Sequence, residues 1–96
     1  MESLDNDRHR TDILNRLKRA EGQLRGIQRM VEEQADCLAV ATQMAAVRKA
    51  LDSTYLHMVR CQMEQHLHAQ LGHTPEADAQ VAAFVDQMEG LMAKLR

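Results

Sequence analysis

The chain has 96 residues, enough for one domain and no more. An apolar fraction of 45% excludes a disordered polymer, and a formal net charge of −2 excludes a uniformly basic chain. No apolar run approaches the roughly 20 residues of a membrane helix. The opening MESLDNDRHR lacks the apolar core of a signal peptide, so a cytoplasmic protein with no membrane partner is expected.

Ala, Leu, Met, Gln, Glu and Arg dominate, and Tyr55 and Phe84 are the two aromatic residues, so the composition is helical. Two Cys in such a chain are expected to be reduced, and either reactive or metal-binding. The chain has few loops in which to build a pocket and shows no nucleophile–base–orienter set. Catalysis is therefore not expected.

Residues 1–10 are polar and read as a flexible tail on a single domain spanning 1–96. From Thr11 the pattern becomes helical, with Thr11 or Asp12 available as a cap. Ile13, Leu17, Ala20, Leu24, Ile27 and Val31 follow alternating steps of four and three, a coiled-coil-like stripe. Gly22 and Gly26 interrupt this helix without breaking it, each costing about 1 kcal/mol relative to Ala. Close approach of a neighbouring helix is the expected reason for them. Arg16, Arg19 and Gln23 flank the stripe, Lys18, Arg25 and Arg29 lie opposite it, and Arg48 and Lys49 extend the basic set into the next helix. Such charges usually form a solvated face. Repeated across an oligomer, they are enough to neutralise many DNA phosphates. No helix-turn-helix, zinc-finger or ribbon signature accompanies them.

A second helix runs from near Asp36 with no breaker until Gly72, about 35 residues or about 50 Å. A monomer this small cannot cover so long a helix, so assembly with other chains is expected. Gly72-His73-Thr74-Pro75 is the clearest loop. Thr74 or Pro75 opens a third helix, whose apolar face is Val81, Phe84, Val85, Met88, Leu91, Met92 and Leu95. The outcome is an all-α, three-helix protomer, short–long–short. The Met residues sit at or beside apolar helical positions and read as core filler.

On a helical wheel Gln62 and His66 fall within about 20° of Cys37, at ~100° per residue. Cys37 and Gln62 are nevertheless 25 residues apart, about 37 Å along the axis. One chain cannot close a site from them. Two copies packed antiparallel can, giving two equivalent sites across a two-fold axis. A thiolate and an imidazole suit Cu(I), Zn(II), Ni(II) or Co(II). Cys61 lies on a different stripe, about 100° from Gln62, four residues from His57. It reads either as a chelating partner of His57 or as a small packed apolar residue.

The run Asn15-Arg16-Leu17-Lys18-Arg19-Ala20-Glu21-Gly22-Gln23-Leu24-Arg25-Gly26-Ile27, then Met30, Cys37 and Gln43-Met44-Ala45-Ala46-Val47-Arg48, resembles the CsoR/RcnR/FrmR family. These bacterial repressors sense copper, nickel or cobalt, formaldehyde, or sulfane sulfur. The resemblance implies an antiparallel helical dimer, a flat dimer-of-dimers tetramer, and operator DNA as partner. It further implies that a ligand at the inter-subunit site weakens DNA binding, with Arg16 at a DNA-contacting position. Cys37 matches the family's sensor Cys. Gln62 and His66 stand where copper sensors carry a His and a Cys. Asp36 replaces the aromatic that precedes the Cys, and Glu2 replaces the N-terminal Pro of formaldehyde sensors. The leading expectation is a repressor released by a thiophilic metal ion, copper(I) favoured and nickel, cobalt or zinc the alternatives. Cys37 and His66 are its ligands, with Cys61 or a tail His or Asp completing the shell. The competing expectation is covalent reaction of Cys37 with formaldehyde, another electrophile or a persulfide.

Overall fold

The computed structural model describes residues 3–95, so Met1, Glu2 and Arg96 lie outside it. Three helices account for nearly all of the described chain: α1 (Asp7–Glu32), α2 (Cys37–Leu71) and α3 (Pro75–Lys94), with no strand among the described residues. The expected short–long–short order is present, at 26, 35 and 20 residues.

The first helix starts at Asp7, earlier than the Thr11 that its apolar stripe suggests. Asn6 is the N-cap, with its side-chain oxygen accepting from the backbone N–H groups of Arg8 and His9. Asp7 adds a favourable negative charge to the first turn. Residues 3–5 are held on α2 by one amide side chain. Gln65 Nε2 donates to the Ser3 carbonyl at 2.9 Å, and the Asp5 N–H donates to Gln65 Oε1 at 3.0 Å.

The two turns are built differently. After α1, Gln34 takes φ 58, the left-handed region that usually selects Gly, and the Ala35 N–H returns to the Met30 carbonyl. After α2, Gly72 takes φ 79 and donates its N–H to the His68 carbonyl at 2.8 Å. Asp36 caps α2 through Ala39, and Thr74 caps α3 through Ala77 with Pro75 just inside the helix.

α2 carries both packing interfaces, with α1 on one and α3 on the other. The core is Ile13, Ala20 and Ile27 of α1, Val47, Thr54, Leu56 and Cys61 of α2, and Ala77, Val81 and Val85 of α3. Thr54 is the buried polar residue of this set, and its hydroxyl donates to the Ala50 carbonyl at 2.8 Å. Only one edge of the α1 stripe is covered. Leu17, Leu24 and Val31, the intervening positions, remain exposed. Nor does a neighbouring helix in the protomer require Gly22 or Gly26, because a Cβ at either would meet nothing within 4 Å.

The protomer is long and open. Its radius of gyration is 17.4 Å, against about 12.5 Å for a compact chain of this length. It exposes 7355 Å², against about 5,600 Å² for a compact folded monomer of this mass. The excess is apolar in part, with Leu38, Met44, Tyr55 and Leu95 all more than half exposed.

Candidate functional site

Two basic residues of α1, Arg16 and Arg19, lie along the groove between α1 and α2. Arg16, Arg19 and Gln23 line a shallow hollow of about 210 Å³ with Ser53 and Thr54 of α2. Arg16 is aimed by its neighbour one turn earlier, its Nε donating to Asp12 Oδ2 at 2.9 Å. The same oxygen lies 2.8 Å from His57 Nε2. The Arg16 hydrogen bond holds the Asp12 carboxyl below its ordinary value, against an opposing effect of burial. Lys18, Arg19 and Arg25 are exposed, and Arg25 lies 3.6 Å from Glu21. On α2, Arg48 and Lys49 are exposed, and Arg48 borders an apolar hollow with Leu24, Ile27, Met44 and Leu51.

The face of α2 that carries Cys37 is uncovered from end to end. Cys37 opens the helix and is exposed, as are Ala41, Met44, Arg48, Tyr55, Gln62 and His66, while Val59 is half-buried. Cys37 and His66 stand at opposite ends of a 35-residue helix, so one protomer does not bring them together. His66 Nε2 lies 3.3 Å from Gln70 Nε2, one turn on.

Cys61 does not share that face. It is 1% exposed, within the electrostatic reach of Asp12 and Arg16 of α1, and burial pushes its thiol upward, with Glu64 adding to the effect. His57, four residues earlier, has its Nε2 on Asp12. His9 of α1 meets the same region, edge-on to His57 at 6.3 Å and 3.6 Å from Glu64. The Asp12–Arg16 pairing has an i,i+4 signature in the sequence, which points to it directly. The packing of residues 3–5 on Gln65 has none.

Residues 9–95 match the family described as metal-sensitive transcriptional repressor. The chain belongs to that family. Among metal-sensitive repressors it is similar to the copper-sensing transcriptional repressor CsoR of Bacillus subtilis (strain 168). The two are 43% identical over 61 residues, 64% of this chain and 56% of that protein. It is also similar to the copper-sensing transcriptional repressor RicR of Mycobacterium tuberculosis (strain ATCC 25618 / H37Rv), 48% identical over 52 residues, 54% of this chain and 50% of that protein. The chain thus spans about half the length of these two curated relatives. An uncharacterized protein in the bioA 5′ region of Serratia marcescens is 32% identical over 89 residues, 93% of this chain and 90% of that protein. No solved structure matches the chain. The family is one of repressors, not enzymes.

Proposed function

We propose that this metal-sensitive repressor binds operator DNA through the basic surface of α1 and leaves it when a thiophilic metal ion binds between subunits. In this reading two protomers pack α2 against α2 in antiparallel fashion, and two such dimers form the tetramer. Cys37 of one protomer and His66 of the partner subunit are the core ligands. Cu(I) is the first candidate ion, in keeping with the copper-sensing relatives, and Ni(II), Co(II) and Zn(II) are the alternatives.

The observation that carries this reading is the open face of α2, with a thiol at one end, an imidazole at the other and exposed apolar residues between. Antiparallel pairing covers the apolar middle and brings each thiol to an imidazole at the same time. An exposed thiolate and an imidazole suit soft and borderline ions. Cys61 is a packing residue in the protomer, and to act as a ligand it would require α2 to turn. Phosphate contacts by Arg16, Arg19 and Gln23 in the groove, with Lys18, Arg25, Arg48 and Lys49 around them, supply the DNA affinity.

The test is anaerobic titration of the reduced protein with each of the four ions, followed by DNA-binding assays of every form. Release from DNA by one ion at a stoichiometric ratio supports the reading. Failure of all four overturns it and assigns the response to covalent chemistry at Cys37, which formaldehyde and persulfide donors then test directly.

A further inference from the structure

The turn between α2 and α3 gathers three side chains that the sensor reading does not use. His68 lies in the last turn of α2, His73 in the connecting turn and Asp78 in the first turn of α3. The two imidazoles stack, with centroids 4.1 Å apart and planes 17° from parallel. His68 Nδ1 lies 3.6 Å and His73 Nδ1 3.7 Å from the same oxygen, Asp78 Oδ1. One ligand atom from each of the three residues falls within 4.8 Å of the others.

The distances separate a ligand set from an ordinary polar contact. At 3.6 Å neither imidazole is hydrogen-bonded to the carboxylate. Neighbouring ligands on a tetrahedral ion with bonds of about 2.05 Å stand about 3.3 Å apart. Both nitrogen–oxygen distances are therefore close to the ligand–ligand spacing of a coordination shell, and rotation of the stacked rings about their side-chain torsions is what aims both lone pairs at one ion. The turn fixes the backbone of the three residues without help from an ion. Gly72 turns the chain at φ 79, Thr74 Oγ1 accepts from the Ala77 N–H at 3.1 Å, and the Asp78 N–H donates to the Thr74 carbonyl at 2.8 Å. Pro75 fixes the entry to α3.

We infer that His68, His73 and Asp78 form a second metal site, contained within one protomer, for a borderline divalent cation such as Zn(II), Co(II) or Ni(II). Two imidazoles and a carboxylate suit these ions, and the lack of a thiolate makes the site a poor one for Cu(I). The site is complete in each chain and needs no partner subunit. It faces away from the sensor face, since residues two apart on a helix, such as His66 and His68, point about 200° apart. A polar hollow of about 740 Å³, bordered by His9, Glu64, His68 and His73, gives water access to the remaining coordination positions. Without an ion, His68 Nδ1 donates to the Gly72 carbonyl at 3.0 Å. Binding exchanges that hydrogen bond for the ion, and the ring proton moves to Nε2. A bound ion joins the end of α2 to the start of α3.

The test uses the full chain carrying Cys37→Ala and His66→Ala, which removes the proposed inter-subunit ligands. Zn(II) is titrated by calorimetry and Co(II) by absorption spectroscopy. One ion per protomer is expected, with a Co(II) spectrum free of thiolate charge transfer and a Tm raised by Zn(II). Adding His73→Ala or Asp78→Asn should leave the circular dichroism unchanged and weaken Zn(II) binding at least about 100-fold, since even outer-sphere partners of ligands contribute 10–100-fold. Absence of binding in the parent variant overturns the inference, as does unchanged affinity after both substitutions. A thiolate band in the Co(II) spectrum also overturns it and places the ion at Cys61. DNA release is not a readout, so failure here is distinct from failure of the sensor reading.

Discussion

The carboxylate of Asp12 stands 2.8 Å from His57 Nε2, tying α1 to α2 at the edge of the basic groove. The same carboxylate holds Arg16 at 2.9 Å, so a residue proposed to meet DNA phosphate is already paired inside the protomer. A phosphate must compete with Asp12 for that guanidinium. Asp12→Asn should therefore tighten operator binding, by at most about fivefold, because an exposed pair of this kind contributes roughly 0.2–1 kcal/mol. Fluorescence anisotropy at fixed salt measures it, and weaker binding would mean that Asp12 positions Arg16 for DNA.

Asp12 also has a pH signature. Its folded-state value is lowered, first by the Arg16 hydrogen bond, so its contribution to stability is present above its ordinary value of 3.8 and is lost as pH falls through the lowered one. The Asp12→Asn chain should lose less stability than wild type on acidification below that value. Urea midpoints measured across the acid range test this, and parallel curves would show that the pairing carries no net linkage.

Arg16→Ala and Arg19→Ala should weaken operator binding without unfolding the protein, since both side chains line a surface groove. For every phosphate that a variant no longer neutralises, the slope of log K against log salt should shrink by about 0.9. Unchanged affinity and slope in both variants would remove DNA binding from this groove.

Cys37→Ala should give a chain that still binds DNA and no longer responds to effector. Cys61→Ala separates the two cysteines. It truncates a 1%-exposed side chain, so it should cost about 1 kcal/mol of stability and leave the response intact. Mixed oligomers of Cys37→Ala and His66→Ala chains should regain response, because in such a heterodimer one site loses both groups and the other keeps both. No recovery, with subunit exchange verified by mass spectrometry, would show that the two residues do not meet across chains.

Arg60 ties α2 to α3. Its guanidinium lies 3.0 Å from Glu64 and 3.0 Å from Asp86, and it also bonds Glu89, which raises its affinity for its proton further. Arg60→Met keeps the aliphatic stem but leaves three carboxylates facing one another. A loss of about 1–2 kcal/mol is expected, given roughly 0.2–1 kcal/mol for each partly exposed pair. Chemical denaturation measures it, and added salt should shrink the difference.

The exposed area of 7355 Å² predicts that the folded chain is not a monomer in solution. Light scattering at micromolar concentration should give a multiple of 10.9 kDa, and Tm should rise with protein concentration. A mass of one chain with a concentration-independent Tm would overturn the assembly.

Much of this was legible in the residues. α2 and the loop after it stand out because Gly72 and Pro75 punctuate an otherwise unbroken run, and the wheel places Cys61 away from Cys37, as observed. The start of α1 was not legible, because Asn6 and Asp7 precede the apolar stripe and look like any polar tail. Both edges of the α1 stripe look alike in sequence, so burial of Ile13, Ala20 and Ile27 alone could not be foreseen. His68, His73 and Asp78 are spaced by five residues across a turn, a pattern to which helical periodicity is blind.

α2 has no Gly or Pro between Cys37 and Leu71, so it behaves as a stiff beam bearing α1 on one side and α3 on another. Over a span of about 52 Å, a tilt of only about 5° at one end moves the other by about 4–5 Å. That displacement is large beside the tolerance of a hydrogen bond to phosphate. If α2 pairs antiparallel with its copy as proposed, a ligand that shifts one beam against the other would carry the α1 arginines with it, and the proposed DNA surface would lose its register while every helix stays intact.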